Sequence, residues 1–373
     1  MMRSFLLLIN LMLYIHIPFC HHKCTYCAFY SLAGKHNIQA YVDALCREIS
    51  ERQESQRKVK TIYFGGGTPS LMSLEQIQQI CDKINQYFDT LQVEEFTFEA
   101  NPENLSHEYL LGLKKIGFNR LSIGVQSFKD SDLKILNRVH TSSQALNVIK
   151  DAQDVGFSNI SVDLIYALPN QSIEDWKQNL SIIDTLKVQH LSCYALTIEE
   201  GTMLHRQIEM NKVVPISDEQ VTDYYNVLCK WASEHGFNQY EVSNFCKSNF
   251  YSRHNSRYWN RTTYLGFGAA AHSFDGKKRR WNIADINKYL TRDAYFEEEI
   301  LTDKDAYNEY VMTALRTTKG IEKRLIDPKF LSHFHQRINK YCQARLLIET
   351  NDAFIPTQEG LMHADGIAAD LFI

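Results

Sequence analysis

From about residue 13 to residue 195, short apolar runs rich in β-branched and aromatic residues alternate with longer stretches whose apolar positions recur at helical spacing. The runs Leu13–Ile17, Thr61–Phe64, Glu95–Glu99, Leu121–Val125, Ile160–Ile165 and His190–Ala195 predict strands. The stretches near 38–53, 73–88, 106–115, 142–154 and 172–186 predict helices between them. Two of these carry start signals: Ser73 with Gln76 fits a capping box, and Ser106 with Tyr109 fits one more weakly. Strands that alternate with helices predict parallel β/α units and an α/β fold.

A repeat supports this. "GFNRLSIGV" begins at Gly117, "GFSNISVDL" at Gly156, and a weaker echo, "GFNQYEVSN", at Gly236. Each places a glycine where a helix would end in a left-handed cap, then Phe, then a strand. Six such units predict a partial (β/α)6 barrel, open on one side. By analogy with full barrels, its site lies at the C-terminal ends of the strands. Beyond about residue 196 the pattern loosens into a helix over 217–235, a strand near Tyr240–Ser243 and a Gly/Ala-rich loop at Gly266–Ala271. Residues 303–373 read as a smaller α+β segment: helices at Ala306–Thr317 and Phe330–Ala344, a hairpin about Asn351–Asp352, and a helix near 358–371. That outline resembles a winged helix, yet without a basic face it reads as a packing or partner domain. The expected division is an extension over 1–11, the barrel over 12–195, a barrel extension over 196–302 and the C-terminal segment over 303–373.

Composition narrows the function classes. The chain has 373 residues, 44% hydrophobic and 23% charged, with a formal net charge of −4. Lys277–Arg280 is a short basic patch that reads as a solvated loop, so nucleic acid is not an expected partner. Of nine cysteines, six are scattered, and Cys20, Cys24 and Cys27 crowd into one stretch. That distribution suits a metal site in a reducing cytosol better than secreted disulfides. The apolar run Phe5–Ile17 is shorter than the roughly 20 residues a bilayer span needs. It continues through Pro18 and Phe19 into the cysteines without a small-residue cleavage site. Leu13–His16 is therefore read as the first strand, with residues 1–11 as an extension ahead of it.

The candidate chemistry begins at "YIHIPFCHHKCTYC", where C-x3-C-x2-C follows a strand. A tight loop of this spacing aims three thiolates at one cluster. Four-iron clusters are usually held by four cysteines, so three leave one iron open. Zinc would need a fourth ligand, which His21 or His22 could supply. "YFGGGTPS" follows at 63–70, a glycine turn that fits either close approach to a ligand or an ordinary strand-to-helix connection.

With Tyr26 between the second and third cysteines, this signature resembles that of the radical S-adenosylmethionine (SAM) superfamily. The resemblance implies a [4Fe-4S] cluster on Cys20, Cys24 and Cys27, with SAM on the open iron. In that superfamily an electron from the cluster cleaves the sulfonium to give a 5′-deoxyadenosyl radical. It further implies that Tyr14, Gly66, Gly67 and Thr68 support the methionine end, and that Glu99, Gln126, Arg138 and Asp163 contact SAM. "YIHIPFC", "GGGTPS", "SIGVQSF", "DLIYALP" and "HNSRYW" together resemble the haem-chaperone family related to oxygen-independent coproporphyrinogen dehydrogenases. The converting enzymes carry a further cysteine where this chain has Phe29, and a longer N-terminal arm; both departures favour the chaperone. The resemblance implies that His254 in "RHNSRYWN" offers an imidazole to haem iron beside Tyr258 and Trp259. It also implies that His272 lines the SAM site or assists haem binding. The resulting expectation is a cytosolic protein that binds haem and passes it to a respiratory or other haemoprotein. The alternatives are oxidative decarboxylation of coproporphyrinogen III and a zinc-binding scaffold.

Overall fold

The computed structural model describes residues 10–34, 36–53 and 57–373. The first strand, β1 (Asn10–Ile17), leads into the cysteine loop, which the short parallel pair β2 (Phe19–Cys20) and β3 (Leu32–Ala33) brackets. Five more strands follow: β4 (Lys58–Gly66), β5 (Glu95–Ala100), β6 (Arg120–Gln126), β7 (Ile160–Tyr166) and β8 (His190–Ala195). With β1 they form six neighbouring parallel strands in chain order, linked by helices Ile38–Glu51, Leu74–Tyr87, His107–Ile116, Ser142–Asp154 and Ile173–Leu186. This is the expected partial-barrel arrangement. Gly117, Gly156 and Gly236 all take positive φ, at 115°, 90° and 69°, as the repeat required.

Both edges of this sheet are occupied. The hairpin β9 (Asn238–Gln239) and β10 (Asn244–Cys246) pairs antiparallel to β8. The predicted strand at Tyr240–Ser243 is instead the turn of that hairpin, where the Glu241 carboxylate accepts from Ser243 N at 3.1 Å and competes with strand pairing. At the other edge β11 (Tyr264–Phe267) lies parallel to β1, followed by the antiparallel β12 (His272–Phe274), β13 (Lys278–Asn282) and β14 (Phe296–Ile300). A buried carboxylate pins this late edge to the early chain. Glu48 pairs with Arg52 at 2.7 Å and accepts from Gly268 N, Tyr289 Oη and Asn282 Nδ2 at 2.8 to 2.9 Å.

The first strand starts earlier than expected. Leu11 and Met12 have no exposed surface within β1, so the boundary of the extension at residue 11 falls inside the strand. Residues 1–9 lie outside the described residues.

Alternation sorts the strands' two faces. Leu13, Ile15, Phe64, Phe98, Ile123 and Val162 join the helices in the main apolar core. The opposite face is polar, unlike the aliphatic interior usual in full barrels. Register places Tyr14, Tyr63, Thr97 and Arg120 in one layer, Glu99, Ser122, Ser161 and His190 in the next, and Gly124, Asp163 and Ser192 above them.

A separate apolar cluster, including Val311, Leu315, Phe334, Phe354 and Ile367, organises the C-terminal segment. Helices Asp303–Leu315 and Leu331–Gln343 pack with the antiparallel strands β15 (Ile321–Glu322), β16 (Leu347–Glu349) and β17 (Ala353–Pro356). The last predicted helix is two, Gln358–Met362 and Ala364–Leu371, which meet at His363.

Candidate functional site

The cysteine loop is fastened from both sides. Thr25 N and Oγ1 donate to Leu136 O and Ile135 O at 3.2 and 3.0 Å, and Leu204 N donates to Thr25 O at 2.8 Å. Cys20, Cys24 and Cys27 are half-buried free thiols. Burial pushes Cys20 up, against the hydroxyls of Thr68 and Ser31, and pushes Cys27 up against a backbone hydrogen bond from Phe29.

Two of these sulfurs are joined by a chain of hydrogen bonds across three strand ends. Thr68 Oγ1 lies 3.4 Å from Cys20 Sγ, and Asn101 Nδ2 donates to Thr68 Oγ1 at 3.2 Å. Arg138 Nη2 donates to Asn101 Oδ1 at 2.7 Å and to Gly124 O at 2.6 Å, while Nη1 lies 3.5 Å from Cys24 Sγ. Arg138 Nε is buried without a protein partner. Donors and a buried cation turned on thiols fit sulfurs that carry negative charge, as cluster ligands do.

A second network stands at the end of β4 and β5. Glu99 accepts from Tyr63 Oη at 2.5 Å and from Gly66 N at 3.1 Å. Burial raises Glu99 to about 7; the Tyr63 bond opposes this and the Asp163 charge adds to it. Gly66 sits at φ 110°, and a Cβ there would stand 2.6 Å from the His16 ring. Gly67 approaches the backbone of Phe19 so closely that a Cβ would meet its carbonyl at 2.7 Å. The glycine run is thus required by its packing against β1 and the cysteine loop. Tyr14 Oη bonds His16 Nδ1 at 3.0 Å beside this turn. Asp163 accepts from Ser122 and Ser161 at 3.2 to 3.3 Å, and burial raises its carboxyl. Gln126 follows a register shift in β6 and takes φ 68°, which re-aims its side chain at the strand end. Tyr26 packs beside Leu136, Ile165 and Leu168, and burial raises its phenol.

Most of the expected site residues therefore gather at one end of the sheet. His272 is on this side, exposed, with its ring stacked 6.2 Å from Trp281, while burial holds the nearby His16 imidazole down to about 4. His254 is not there. It has no exposed surface, and its Nδ1 and Nε2 bond Thr61 Oγ1 at 2.8 Å and Tyr258 Oη at 3.1 Å. It lies at the N-terminal end of the strands, on helix Arg253–Trp259, whose N-terminal amides Arg253 N and His254 N donate to Glu95 at 2.7 and 2.9 Å. In this arrangement both imidazole nitrogens are engaged within the protein, unlike the expectation that His254 offers its imidazole to haem iron. Sequence reasoning also missed Asn101 and Tyr63. Both were accessible to it: Asn101 stands two residues after Glu99, and Tyr63 two before Gly65, each on the polar face.

Three loop thiols at the end of the first strand, with acids and glycines at the following strand ends, define a radical SAM protein. A family model for the Radical SAM superfamily matches residues 14–182. The chain is 35% identical over 330 residues to the heme chaperone HemW of Bacillus subtilis (strain 168), covering 85% of this chain and 86% of that one. It is 34% identical over 355 residues to the heme chaperone HemW of Lactococcus lactis subsp. lactis (strain IL1403), covering 93% of each. Its fold is similar to that of Escherichia coli coproporphyrinogen III oxidase (HemN), a radical SAM enzyme, with a TM-score of 0.85 at 22% identity over 98% of this chain and 91% of that one. The chain belongs to the HemW heme-chaperone family of that superfamily.

Proposed function

We propose that the chain binds a [4Fe-4S] cluster through Cys20, Cys24 and Cys27, SAM at the cluster's fourth iron, and haem, which it delivers to a respiratory or other haemoprotein. The observation that carries the cofactor reading is the bonded chain from Cys20 through Thr68, Asn101 and Arg138 to Cys24. A cuboidal cluster takes each thiolate on a different iron, and donors turned on Cys20 and Cys24 suit thiolates held in that way. Bound together, cluster and SAM supply one-electron chemistry. The protein's own part is to orient and enclose: Tyr14, Gly66, Gly67 and Thr68 border the methionine end. Glu99, Asp163 and Gln126 accept from amine or hydroxyl groups, Arg138 balances negative charge, and His272 stands at the rim. The haem reading rests on the relatives, which are heme chaperones.

Anaerobic reconstitution followed by SAM and then haemin tests all three parts. The expected results are about four irons per chain, a changed electron paramagnetic resonance spectrum of the reduced cluster with SAM, and one haem bound. Stoichiometric zinc in place of iron, or decarboxylation of coproporphyrinogen III at catalytic turnover, would overturn the reading.

A further inference from the structure

The polar face of the sheet holds a buried cation whose hydrogen-bonding capacity is not exhausted. Arg120 stands on β6, between β5, which carries Glu99, and β7, which carries Asp163. Register sets Arg120 opposite Thr97 and Ser122 opposite Glu99, so the arginine starts one row beneath the Glu99 carboxyl on the same face. Only 1% of its surface is exposed, yet Nε and Nη1 have no hydrogen-bond acceptor in the protein. The neighbouring Thr97 hydroxyl is buried without a partner too. Guanidinium nitrogens left unbonded in an interior are costly. Glu95 does not take them up: its oxygens accept from Ser252 Oγ, Arg253 N and His254 N at 3.3, 2.7 and 2.9 Å.

We infer that Arg120 is a positioning residue for the SAM site: it acts through Glu99 and Asp163, keeping negative charge on these carboxyls for the cationic end of SAM. The inference rests on the SAM-binding reading above and names what tunes that site. Two buried carboxyls that flank one strand disfavour each other's charge, and a cation on that strand offsets this. Burial raises both carboxyls; the Arg120 charge opposes this at each, and Asp163 adds to it at Glu99. The other titratable groups that face them stay in one form near neutral pH. Burial raises the phenols of Tyr14, Tyr63, Tyr194 and Tyr258, which face Glu99 from β1, β4, β8 and the helix Arg253–Trp259. It likewise raises the Cys193 thiol beside Asp163 and the Tyr240 phenol beside Arg120. His190 and His254, also near Arg120, are kept neutral by burial.

The test uses the anaerobically reconstituted full chain and its Arg120→Met, Arg120→Gln and Arg120→Lys variants, read by two measurements. Infrared difference titration of the carboxyl stretch, assigned with Glu99→Gln, follows ionisation in the absence of SAM. SAM affinity is then taken across the same pH range. In the wild type the Glu99 midpoint should fall near 7. The two neutral variants should raise it by about one pH unit, a factor of ten in the ionisation equilibrium, and the rise of SAM affinity with pH should move with it. Arg120→Lys, which keeps the charge, should hold both within about half a unit of the wild type. An arginine that only filled space would scale affinity equally at every pH and leave the carboxyl midpoint alone. An unmoved midpoint in the neutral variants, or an Arg120→Lys chain that titrates as they do, overturns the inference while the SAM reading stands. Failure of both neutral variants to load the cluster makes Arg120 a residue of the fold and overturns it as well. A wild-type chain that takes up no SAM overturns the SAM reading and this inference with it.

Discussion

The two ends of the polar sheet face are built from the same alternating strand pattern and finish differently. At the N-terminal end a returning helix covers the strands. Glu95 accepts from Ser252 Oγ, Arg253 N and His254 N, and His190 is held between Ser161 Oγ and Tyr240 Oη, both at 2.7 Å. At the C-terminal end the chain leaves the sheet through positive φ at Gly66, Gln126 and Ala167, at 110°, 68° and 58°. Buried polar atoms without a protein partner occur at both ends, Arg138 Nε at this one and Arg120 Nε and Nη1 towards the other. Inward polar residues alone therefore do not mark a site. The difference lies in whether the rest of the chain returns to cover them, as helix Arg253–Trp259 does at the N-terminal end.

Substitutions at the two ends should separate chemistry from stability. The largest effect is expected at the mouth: Cys20→Ala, Cys24→Ala or Cys27→Ala should reduce anaerobically loaded iron from about four per chain to a trace. Cys46→Ala, in the core, should keep it; iron retention in the loop variants would break the comparison. At the closed end, Glu95→Ala should cost about 3 kcal/mol in denaturant unfolding, because it strands two helix amides and the buried Arg120 nearby. Its cluster should still load below the unfolding transition. Leu11→Ala, in the buried start of β1, should cost about 2 kcal/mol. An unchanged midpoint would return that residue to the extension.

The smallest effect is a pH dependence. Burial holds Glu99 near 7, above its unfolded value, so its contribution to stability is full in acid and lost as pH rises through about 7. Ionisation favours an incoming amine, so SAM affinity should move the other way, rising about tenfold between roughly pH 6 and 8. Glu99→Gln should flatten both profiles. A wild-type affinity that is flat across that range would show Glu99 takes no part in binding.

How much of this was legible in the sequence follows the range of the interactions. The six inner strands and their helices were readable because local periodicity and capping define them: Ser73 and Gln76 form the capping box that their spacing announced. The thiol loop was readable because its ligands are neighbours in sequence. The strands β11 to β14 were not, because β11 is held by β1 about 250 positions earlier, and a short strand with a distant partner leaves little periodic trace. Nor was the placement of His254. "HNSRYW" shows an imidazole beside aromatics, but its partner Thr61 lies 193 positions away. The same letters describe a metal ligand and a satisfied interior histidine.

The pairing of β1 between β4 and β11 also sets an order of assembly. During synthesis the strand that carries the cysteine loop has one neighbour in place once Gly66 has emerged, and lacks the other until Phe267 does. At elongation rates of roughly 5–20 residues per second, that interval lasts on the order of ten seconds or more. For that time the three thiols stand on an unfinished sheet edge, open to metal delivery and equally to oxidants. Uptake of a cluster by this loop would then depend on when β11 is translated. Slowing the ribosome between codons 66 and 267 would lengthen the period in which this protein is both most loadable and most vulnerable.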